Sequence, residues 1–198
     1  MEIEYNGIRR QKIMLKKFIP DYYYKTIEDI PYTKLYEDGI RLILTDLDNT
    51  LISYLEKEPT EALFAWKEKV EKLGFEIIIV SNSRKDRVEH FAKELGLPFV
   101  KFAKKPLLFG MKKALKLASK EYKKEEIMEI GDQLMTDVFA SRRMNILTIL
   151  VKAIDKKTEI LPTKINRKLE HFVLHHIERR HARLYQQHLD AYVRDKDE

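Results

Sequence analysis

Residues 40–50 have the sequence IRLILTDLDNT, in which a run of mostly branched apolar residues leads directly into two closely spaced aspartates. The apolar run predicts a buried strand over residues 40–45 that ends at Asp46. In an extended chain, side chains two residues apart leave the backbone on the same side, which would bring Asp46 and Asp48 together. Because a turn begins here, this shared orientation is a hypothesis.

Strand-like and helix-like segments alternate from this point to residue 151. Apolar runs predict further strands at 75–80, 99–102, 127–130 and 147–151, and helical spacing of apolar residues predicts helices at 60–73, 85–95, 107–122 and 134–144. This alternation predicts an α/β fold with a parallel sheet covered by helices on both faces. Sites in such sheets lie at the carboxyl ends of the strands, so the residues after each strand are the candidates.

Polar side chains follow four of the predicted strands. In chain order these residues are Asp46, Asp48, Thr50, Ser81, Asn82, Lys104, Lys105, Asp132 and Asp137. Aspartates without histidine or cysteine suit a hard cation such as Mg²⁺. A cation, a lysine and a hydroxyl would offset the negative charge of a phosphate ester, and an ionised aspartate could attack phosphorus. The set therefore predicts phosphoryl transfer.

Each of these residues also has an ordinary structural explanation when it is taken singly. An aspartate or serine after a strand usually caps a helix or forms a turn, and a lysine is usually solvated. The chemical interpretation depends on the combination of four successive strand ends.

The motifs, in their order, resemble the haloacid dehalogenase (HAD) superfamily. They read Asp-x-Asp-x-Thr, Ser-Asn, Lys-Pro and Gly-Asp-Gln-x-x-Thr-Asp, each after a predicted strand. The combination is similar to subfamily IIIA, the YqeG-type phosphatases, over roughly residues 8–180. The resemblance implies a Rossmann-like parallel sheet and a phosphatase that uses Mg²⁺.

The resemblance implies roles for the matching positions in the reaction itself. Asp46 would be the nucleophile that forms an aspartyl-phosphate. Asp48 would be the general acid and base, and its main-chain carbonyl would face the metal. Asp132 would bind Mg²⁺ together with Asp46.

The remaining positions would bind phosphate or support the site. Ser81 would hold a phosphoryl oxygen with help from Asn82, and Lys105 would stabilise the developing charge. Lys105 is preferred over Lys104 because it directly precedes Pro106. The supporting residues would be Thr50 and Asp137.

HAD enzymes often carry a cap domain inserted between these motifs, and this chain has no room for one. The segments 51–80 and 83–104 hold only a short flap, helices and strands. The prediction is a capless (C0) enzyme with an open site, suited to a large substrate or one embedded in a surface. Oligomerisation could still cover the site, which keeps small substrates open.

Segments of different character flank the predicted catalytic domain, residues 39–152. Residues 1–38 form an arm with five positive residues and no negative ones between Tyr5 and Pro20, namely Arg9, Arg10, Lys12, Lys16 and Lys17. This stretch is either a basic amphipathic helix or an arm packed on the domain. Residues 153–198 read as a helical extension, packed on the domain or extending from it, with no assigned role.

Lysines are concentrated between residues 101 and 124, which hold nine lysines and one acidic residue, Glu121. The helix predicted there would place Lys112, Lys116 and Lys120 on one face. Such a face is often only solvated, but it would attract an anionic lipid surface or a nucleic-acid backbone.

The function predicted from these features is dephosphorylation of phosphatidylglycerophosphate, because YqeG-type proteins are similar to phosphatidylglycerophosphate phosphatases. The alternatives are a soluble sugar-phosphate or nucleotide phosphatase, and a nucleic-acid- or ribosome-associated protein with a vestigial site. The chain has no cysteine and a net charge of +6, without an apolar run that could span a bilayer. The predicted location is the cytoplasm, with peripheral association at the inner face of the membrane under the lipid hypothesis.

Overall fold

The computed structural model describes residues 14–84, 86–155 and 161–196, and within these ranges six strands form a parallel sheet. The strands are β1 (Tyr22–Tyr24), β2 (Leu42–Thr45), β3 (Glu76–Val80), β4 (Phe99–Val100), β5 (Ile127–Gly131) and β6 (Leu147–Val151). Their order across the sheet is β1-β6-β5-β2-β3-β4, and all neighbours are parallel. The predicted α/β class is confirmed.

Helices cover both faces of this sheet. They are α1 (Tyr32–Glu37), α2 (Glu61–Lys72), α3 (Asp86–Leu95), α4 (Leu108–Leu115), α5 (Phe139–Met144), α6 (Leu161–Arg180), α7 (Ala182–His188) and α8 (Asp190–Lys196). A π-helical turn, Leu134–Val138, precedes α5, and a 3₁₀ turn, Lys124–Glu126, precedes β5. In the part of the chain that the structure describes, no helix is long and apolar enough to cross a membrane.

Strand β2 shows why the central strands are apolar along their whole length. Ile43 belongs to the core on one face of the sheet with Trp66 of α2, whereas Leu44 belongs to the core on the other face with Met111 of α4. Successive side chains of a strand point to opposite faces, so a sheet covered on both sides has no solvent face.

Helix α4 is shorter than the sequence predicts, because it ends at Leu115 instead of continuing to residue 122. The chain turns back onto β3, where the Ser119 N–H and hydroxyl donate to the Glu76 carboxylate at 2.8 and 2.7 Å. Lys116 is the C-cap of α4 and keeps a helical conformation, but Lys120 lies beyond the helix, so the predicted row of three lysines is wrong.

Two further lysines of this segment do not add free positive charge at the surface. Lys101 forms ion pairs with Asp86 and Glu89, at 3.4 and 2.9 Å. Lys105 is buried, with 4% of its surface exposed. The surface charge of residues 101–124 is therefore smaller than the count of lysines implies.

The N-terminal arm contributes an edge strand that the sequence did not predict. β1 pairs in parallel with β6, with Tyr22 opposite Ile149. Leu15 and Phe18 are buried in a core that also contains Ile177 of α6. The described part of the arm, from residue 14, is therefore packed on the domain, while Arg9, Arg10 and Lys12 of the predicted basic helix lie outside the described residues.

The C-terminal helices share that same core. Val173 of α6 and Tyr192 of α8 pack with Leu134 and Val138 of the π-helical turn. Since this turn directly follows the end of β5, the C-terminal helices lie beside the loop that carries Asp132.

Candidate active site

The site forms at the carboxyl ends of β2 and β5, which are neighbours in the sheet. The chain runs outward from β2 to β3 and β4 on one side, and β5 and β6 lie on the other side, so the strand order reverses at this point. The Asp46 N–H donates to the Ile130 carbonyl at 2.9 Å, which fixes the end of β2 against β5. Asp46, Asp48 and Asp132 are all buried here, with 6%, 4% and 0% of their surfaces exposed.

Lys105 is the cation at the centre of the site. Its Nζ lies 3.1 Å from Asp46 Oδ1, 2.8 Å from Asp137 Oδ1 and 3.7 Å from Glu129 Oε1. Burial alone would lower the pKa of Lys105, but the negative charges of Asp137, Asp46 and Glu129 outweigh burial and raise that pKa. Lys105 therefore stays charged beside the predicted nucleophile.

Lys104, the other lysine considered from the sequence, points away from these carboxylates. Lys104 is exposed, and its ammonium lies 4.8 Å from the centre of the Phe102 ring. The Arg84 guanidinium stacks over the same ring at 3.9 Å. Phe102, Arg84 and Lys104 form a basic and aromatic cluster, which we call the rim cluster because Arg84 lines the mouth of the cavity described below.

Asn82 has a role that the sequence did not predict, in addition to its predicted place at the phosphate. Its Oδ1 accepts from the Lys105 N–H at 2.6 Å, and its Nδ2 donates to the Lys105 carbonyl at 2.9 Å. Asn82 therefore holds the main chain that presents Lys105. Its neighbour Ser81 is buried and lines the cavity, and its hydroxyl oxygen accepts from the Ser83 N–H at 3.1 Å.

Asp137 sits on the π-helical turn and contacts Lys105 from the side of β5. Its Oδ2 accepts from the Gln133 N–H at 3.0 Å. A Cβ at Gly131 would collide with the Asp137 side chain, so this position at the end of β5 requires glycine. Asp137 holds Lys105 through a direct ion pair.

Glu129 is a site residue that the sequence analysis missed. It lies within β5 and not at its end, so no strand-end rule could find it. Burial raises the pKa of Glu129 to about 8, against the opposing effect of Lys105. The negative charge of Asp137 adds to this rise, and the Glu129 carboxyl group lies 3.7 Å from the Lys105 ammonium.

Asp48 is held by an arginine that the sequence analysis also missed. The Arg87 Nε donates to Asp48 Oδ1 at 3.0 Å, and its other nitrogens donate to the carbonyls of Ser53 and Glu56 in the flap after β2. Arg87 occupies the first turn of α3. It ties the predicted general acid to the flap.

Asp132 contacts the C-terminal helices as well as the other predicted site residues. Thr50 donates to Asp132 Oδ1 at 3.4 Å, so Thr50 supports this aspartate in addition to its loop. On the other side, Arg167 of α6 donates to Asp132 Oδ2 and, at 2.8 Å, to the Asp132 carbonyl. No sequence motif pointed to Arg167.

The carboxylates fit a divalent cation, which the predicted set would hold through Asp46, Asp132 and the Asp48 carbonyl. Burial raises the pKa of Asp46 well above its ordinary value, Lys105 opposes this, and the charges of Asp137, Asp132 and Asp48 add to it. A cation would relieve this repulsion. Among the residues described, no three acidic or imidazole side chains form a complete metal site, and the predicted set contains only two side-chain ligands.

A cavity of about 340 Å³ opens beside Asp46. Its outer wall comes from parts of the chain that the sequence did not connect with the site: Tyr54 of the flap, and Thr163 and Asn166 of α6. Asn166 Nδ2 donates to Gln133 Oε1 at 3.3 Å, which fastens α6 to the loop after β5. The flap and α6 therefore both contribute to the cavity wall, and the described residues of the segments 51–80 and 83–104 contain no cap domain.

Replacement of Lys105 by Met should destabilise the fold by about 3–5 kcal/mol, because it leaves buried carboxylates without their cation. The free energy of unfolding in urea measures this loss. Lys104→Met is the matched control and should change that free energy by less than about 0.5 kcal/mol, since its ammonium is exposed. Equal unfolding free energies for the two variants would contradict the central position of Lys105.

Comparisons with known proteins agree with this geometry. The family model described as "Mitochondrial PGP phosphatase" matches residues 9–155. "Probable phosphatase YqeG" of Bacillus subtilis (strain 168) is 38% identical over 168 residues, which cover 84% of this chain and 96% of that protein.

Two solved structures are similar at a lower level, each with 16% sequence identity. One is a Vibrio cholerae protein assigned provisionally as 3-deoxy-D-manno-octulosonate 8-phosphate phosphatase, with a TM-score of 0.45. The alignment covers 58% of this chain and 66% of the Vibrio chain. The other is a hypothetical protein of Xanthomonas campestris, with a TM-score of 0.44. The alignment covers 65% of this chain and 72% of the Xanthomonas chain.

The motifs at four strand ends, their convergence around Lys105 and the match over most of the chain lead to one assignment. The chain belongs to the PGP phosphatase family, among the YqeG-type phosphatases of the HAD superfamily.

Proposed function

We propose that this phosphatase is Mg²⁺-dependent, works through an aspartyl-phosphate on Asp46 and dephosphorylates phosphatidylglycerophosphate. The observation that carries the mechanism is the buried contact of Lys105 with both Asp46 and Asp137 at one end of the cavity. This contact sets the Asp46 carboxyl group beside a fixed positive charge, which supports the proposed attack of Asp46 on a phosphoryl group.

In the first step an oxygen of Asp46 attacks phosphorus, and the bond from phosphorus to the ester oxygen breaks. Asp48 donates a proton to the departing oxygen, which leaves as an alcohol. The Ser81 hydroxyl and the Lys105 ammonium hold the phosphoryl oxygens during the transfer. The product of this step is the phosphorylated Asp46 side chain.

In the second step Asp48, now ionised, takes a proton from water, and the water oxygen attacks the same phosphorus atom. The bond between phosphorus and Asp46 breaks, which releases inorganic phosphate and restores the carboxylate. Asp48 lines the cavity beside Asp46, which supports its assignment as the group that transfers this proton.

Mg²⁺ would be held by the carboxylates of Asp46 and Asp132 and the main-chain carbonyl of Asp48, and would supply charge compensation for the phosphoryl oxygens. Oxygen ligands of this kind are those that Mg²⁺ prefers. The raised pKa of Asp46 supports this assignment, because the nucleophile needs more positive charge nearby than Lys105 supplies.

Two features favour a phosphatidyl substrate over a soluble one. The first is the matching family model, which is described by its phosphatidylglycerophosphate (PGP) phosphatase activity. The second is the rim cluster, where Arg84 and Lys104 lie over Phe102 beside the cavity. Cations paired with an exposed aromatic ring suit the junction of anionic headgroups and acyl chains.

The outer face of α6 provides a surface for the membrane that holds such a substrate. Ile165, Leu169 and Phe172 are four and three residues apart, so they form one stripe, and they are 52%, 49% and 65% exposed. Asn166, in the same turn of α6 as Ile165, lines the cavity, so the stripe and the cavity wall lie on different faces of one helix. Exposed Lys168 lies beside the stripe, as expected of an interfacial helix that binds an anionic bilayer.

Replacement of Asp46 by Asn should reduce phosphate release by more than about 1,000-fold, because an amide cannot act as the nucleophile. The assay measures release from phosphatidylglycerophosphate in mixed micelles and from a water-soluble phosphate ester, each with Mg²⁺. Asp38→Asn, at an exposed position after α1, is the matched control and should retain full activity. Substantial turnover by a folded Asp46→Asn variant would overturn the mechanism.

Replacement of Phe172 by Asp should weaken binding to vesicles containing phosphatidylglycerol by about 10–100-fold. The change removes an aromatic ring that would insert into the bilayer and adds a negative charge that the anionic lipid repels. Flotation with the vesicles measures the binding. Phe64→Asp on α2 is the matched control, because Phe64 is also an exposed phenylalanine, at 42%. Both variants should turn over a water-soluble phosphate ester normally.

Two results would count against the lipid proposal. Equal vesicle binding by the parent protein and Phe172→Asp would remove α6 as the membrane surface. Turnover of soluble sugar phosphates or nucleotides, without release from phosphatidylglycerophosphate in micelles, would replace the lipid by the soluble substrate class.

A further inference from the structure

The C-terminal helices lie outside the span matched by the family model, which ends at residue 155. They nevertheless contact Asp132, at the carboxyl end of β5, through Arg167 of α6. One terminal nitrogen of the Arg167 guanidinium donates to Asp132 Oδ2. The other donates to the Asp132 main-chain carbonyl at 2.8 Å. Arg167 thus fixes both the backbone and the side chain of this aspartate.

A second set of contacts fixes the arginine itself. Arg167 Nη1 lies 3.5 Å from Glu170 Oε2, one turn further along α6. Glu170 Oε1 in turn accepts from the Tyr192 hydroxyl at 2.7 Å and from the Lys196 ammonium, both on α8. Arg167, Glu170 and Tyr192 are 9%, 1% and 2% exposed. A buried, charged network therefore runs from the last helix of the chain to Asp132.

The two oxygens of the Asp132 carboxylate have different surroundings. Oδ2 is held by Arg167, whereas Oδ1 lies on the side of Thr50, which follows β2 as Asp46 and Asp48 do. A planar guanidinium that contacts a carboxylate and a carbonyl at once fixes the rotation of the side chain, which an ammonium cannot do. Oδ1 thus faces the segment after β2, to which Thr50 belongs.

We propose that Arg167 is a positioning residue that holds Asp132 by one oxygen so that the other can bind Mg²⁺. This inference rests on the Mg²⁺-dependent function proposed above. Residues that orient a metal ligand typically change metal affinity by 10–100-fold when they are removed. The C-terminal helices are then part of the active site.

The charge of Arg167 has the opposite effect on Mg²⁺ affinity from its positioning of Asp132. A guanidinium close to a cation site repels the cation, so an arginine that merely occupied Asp132 would weaken Mg²⁺ binding. Its removal would then tighten binding. The direction of the change in Mg²⁺ affinity therefore distinguishes an arginine that orients Asp132 for the metal from one that only pairs with its charge.

The test is calorimetric titration of Mg²⁺ into the full-length protein without substrate. Arg167→Met should bind Mg²⁺ about 10–100-fold more weakly than the parent protein. Arg167→Lys should also bind more weakly, because it keeps the charge but loses the two-pronged contact. Arg179→Met is the control, since Arg179 is exposed on the same helix, and it should bind as the parent does.

The dependence of activity on Mg²⁺ concentration is a second measurement, which distinguishes a positioning role from a general structural defect. The Mg²⁺ concentration for half-maximal activity should rise in the Arg167 variants, while kcat at saturating Mg²⁺ should return to within a few-fold of the parent value. If Arg167→Met does not fold, the Mg²⁺ titration and the kinetics of Arg167→Lys test the proposal.

Unchanged or tighter Mg²⁺ binding in a folded Arg167 variant would overturn the positioning role and leave the proposed function standing. Absence of Mg²⁺ binding by the parent protein would overturn both the metal dependence and this inference.

Discussion

One buried ammonium group, that of Lys105, constrains the whole site. Its contacts with Asp46, Asp137 and Glu129 are enclosed by the sheet, and a charge buried in this way is tolerated only when it is paired. The pairing requires the ends of β2 and β5 and the loop after β4 to meet within a few ångströms. The site and the packing of the central strands therefore stabilise one another.

The local structure around Lys105 shows how closely the chain must approach. Asn82 clamps the Lys105 main chain from the end of β3. A Cβ at Gly110 of α4 would collide with the Ala103 backbone, two residues before Lys105. Lys105, beside the proposed nucleophile, is thus positioned by the hydrogen bonds of Asn82 on one side and by the close contact of Gly110 with Ala103 on the other.

The parts of this arrangement that could be predicted are those that depend on local sequence. Each motif lies directly after a strand, so the strand pattern and the parallel topology together brought Asp46 and Asp132 to one edge of the sheet. Glu129, Arg87 and Arg167 could not be found in this way, because they reach the site from inside a strand or from helices. The early end of α4 also depends on a distant residue, Glu76, that captures Ser119.

In the proposed function, helix α6 connects the chemistry with a lipid substrate. One face carries Arg167 to Asp132, and another carries the exposed stripe that begins at Ile165. An enzyme whose substrate stays in a bilayer needs its site and its membrane surface in a fixed relation, and a single rigid helix provides this.

The most direct measurement is rapid quenching in acid during turnover with a phosphate ester and Mg²⁺, followed by mass spectrometry of the peptide that contains Asp46. The mechanism predicts that this peptide gains one phosphoryl group during turnover, on Asp46, and that hydroxylamine removes it, as expected of an acyl phosphate. Phosphate release without a phosphorylated peptide, or with the phosphoryl group on another residue, would contradict it.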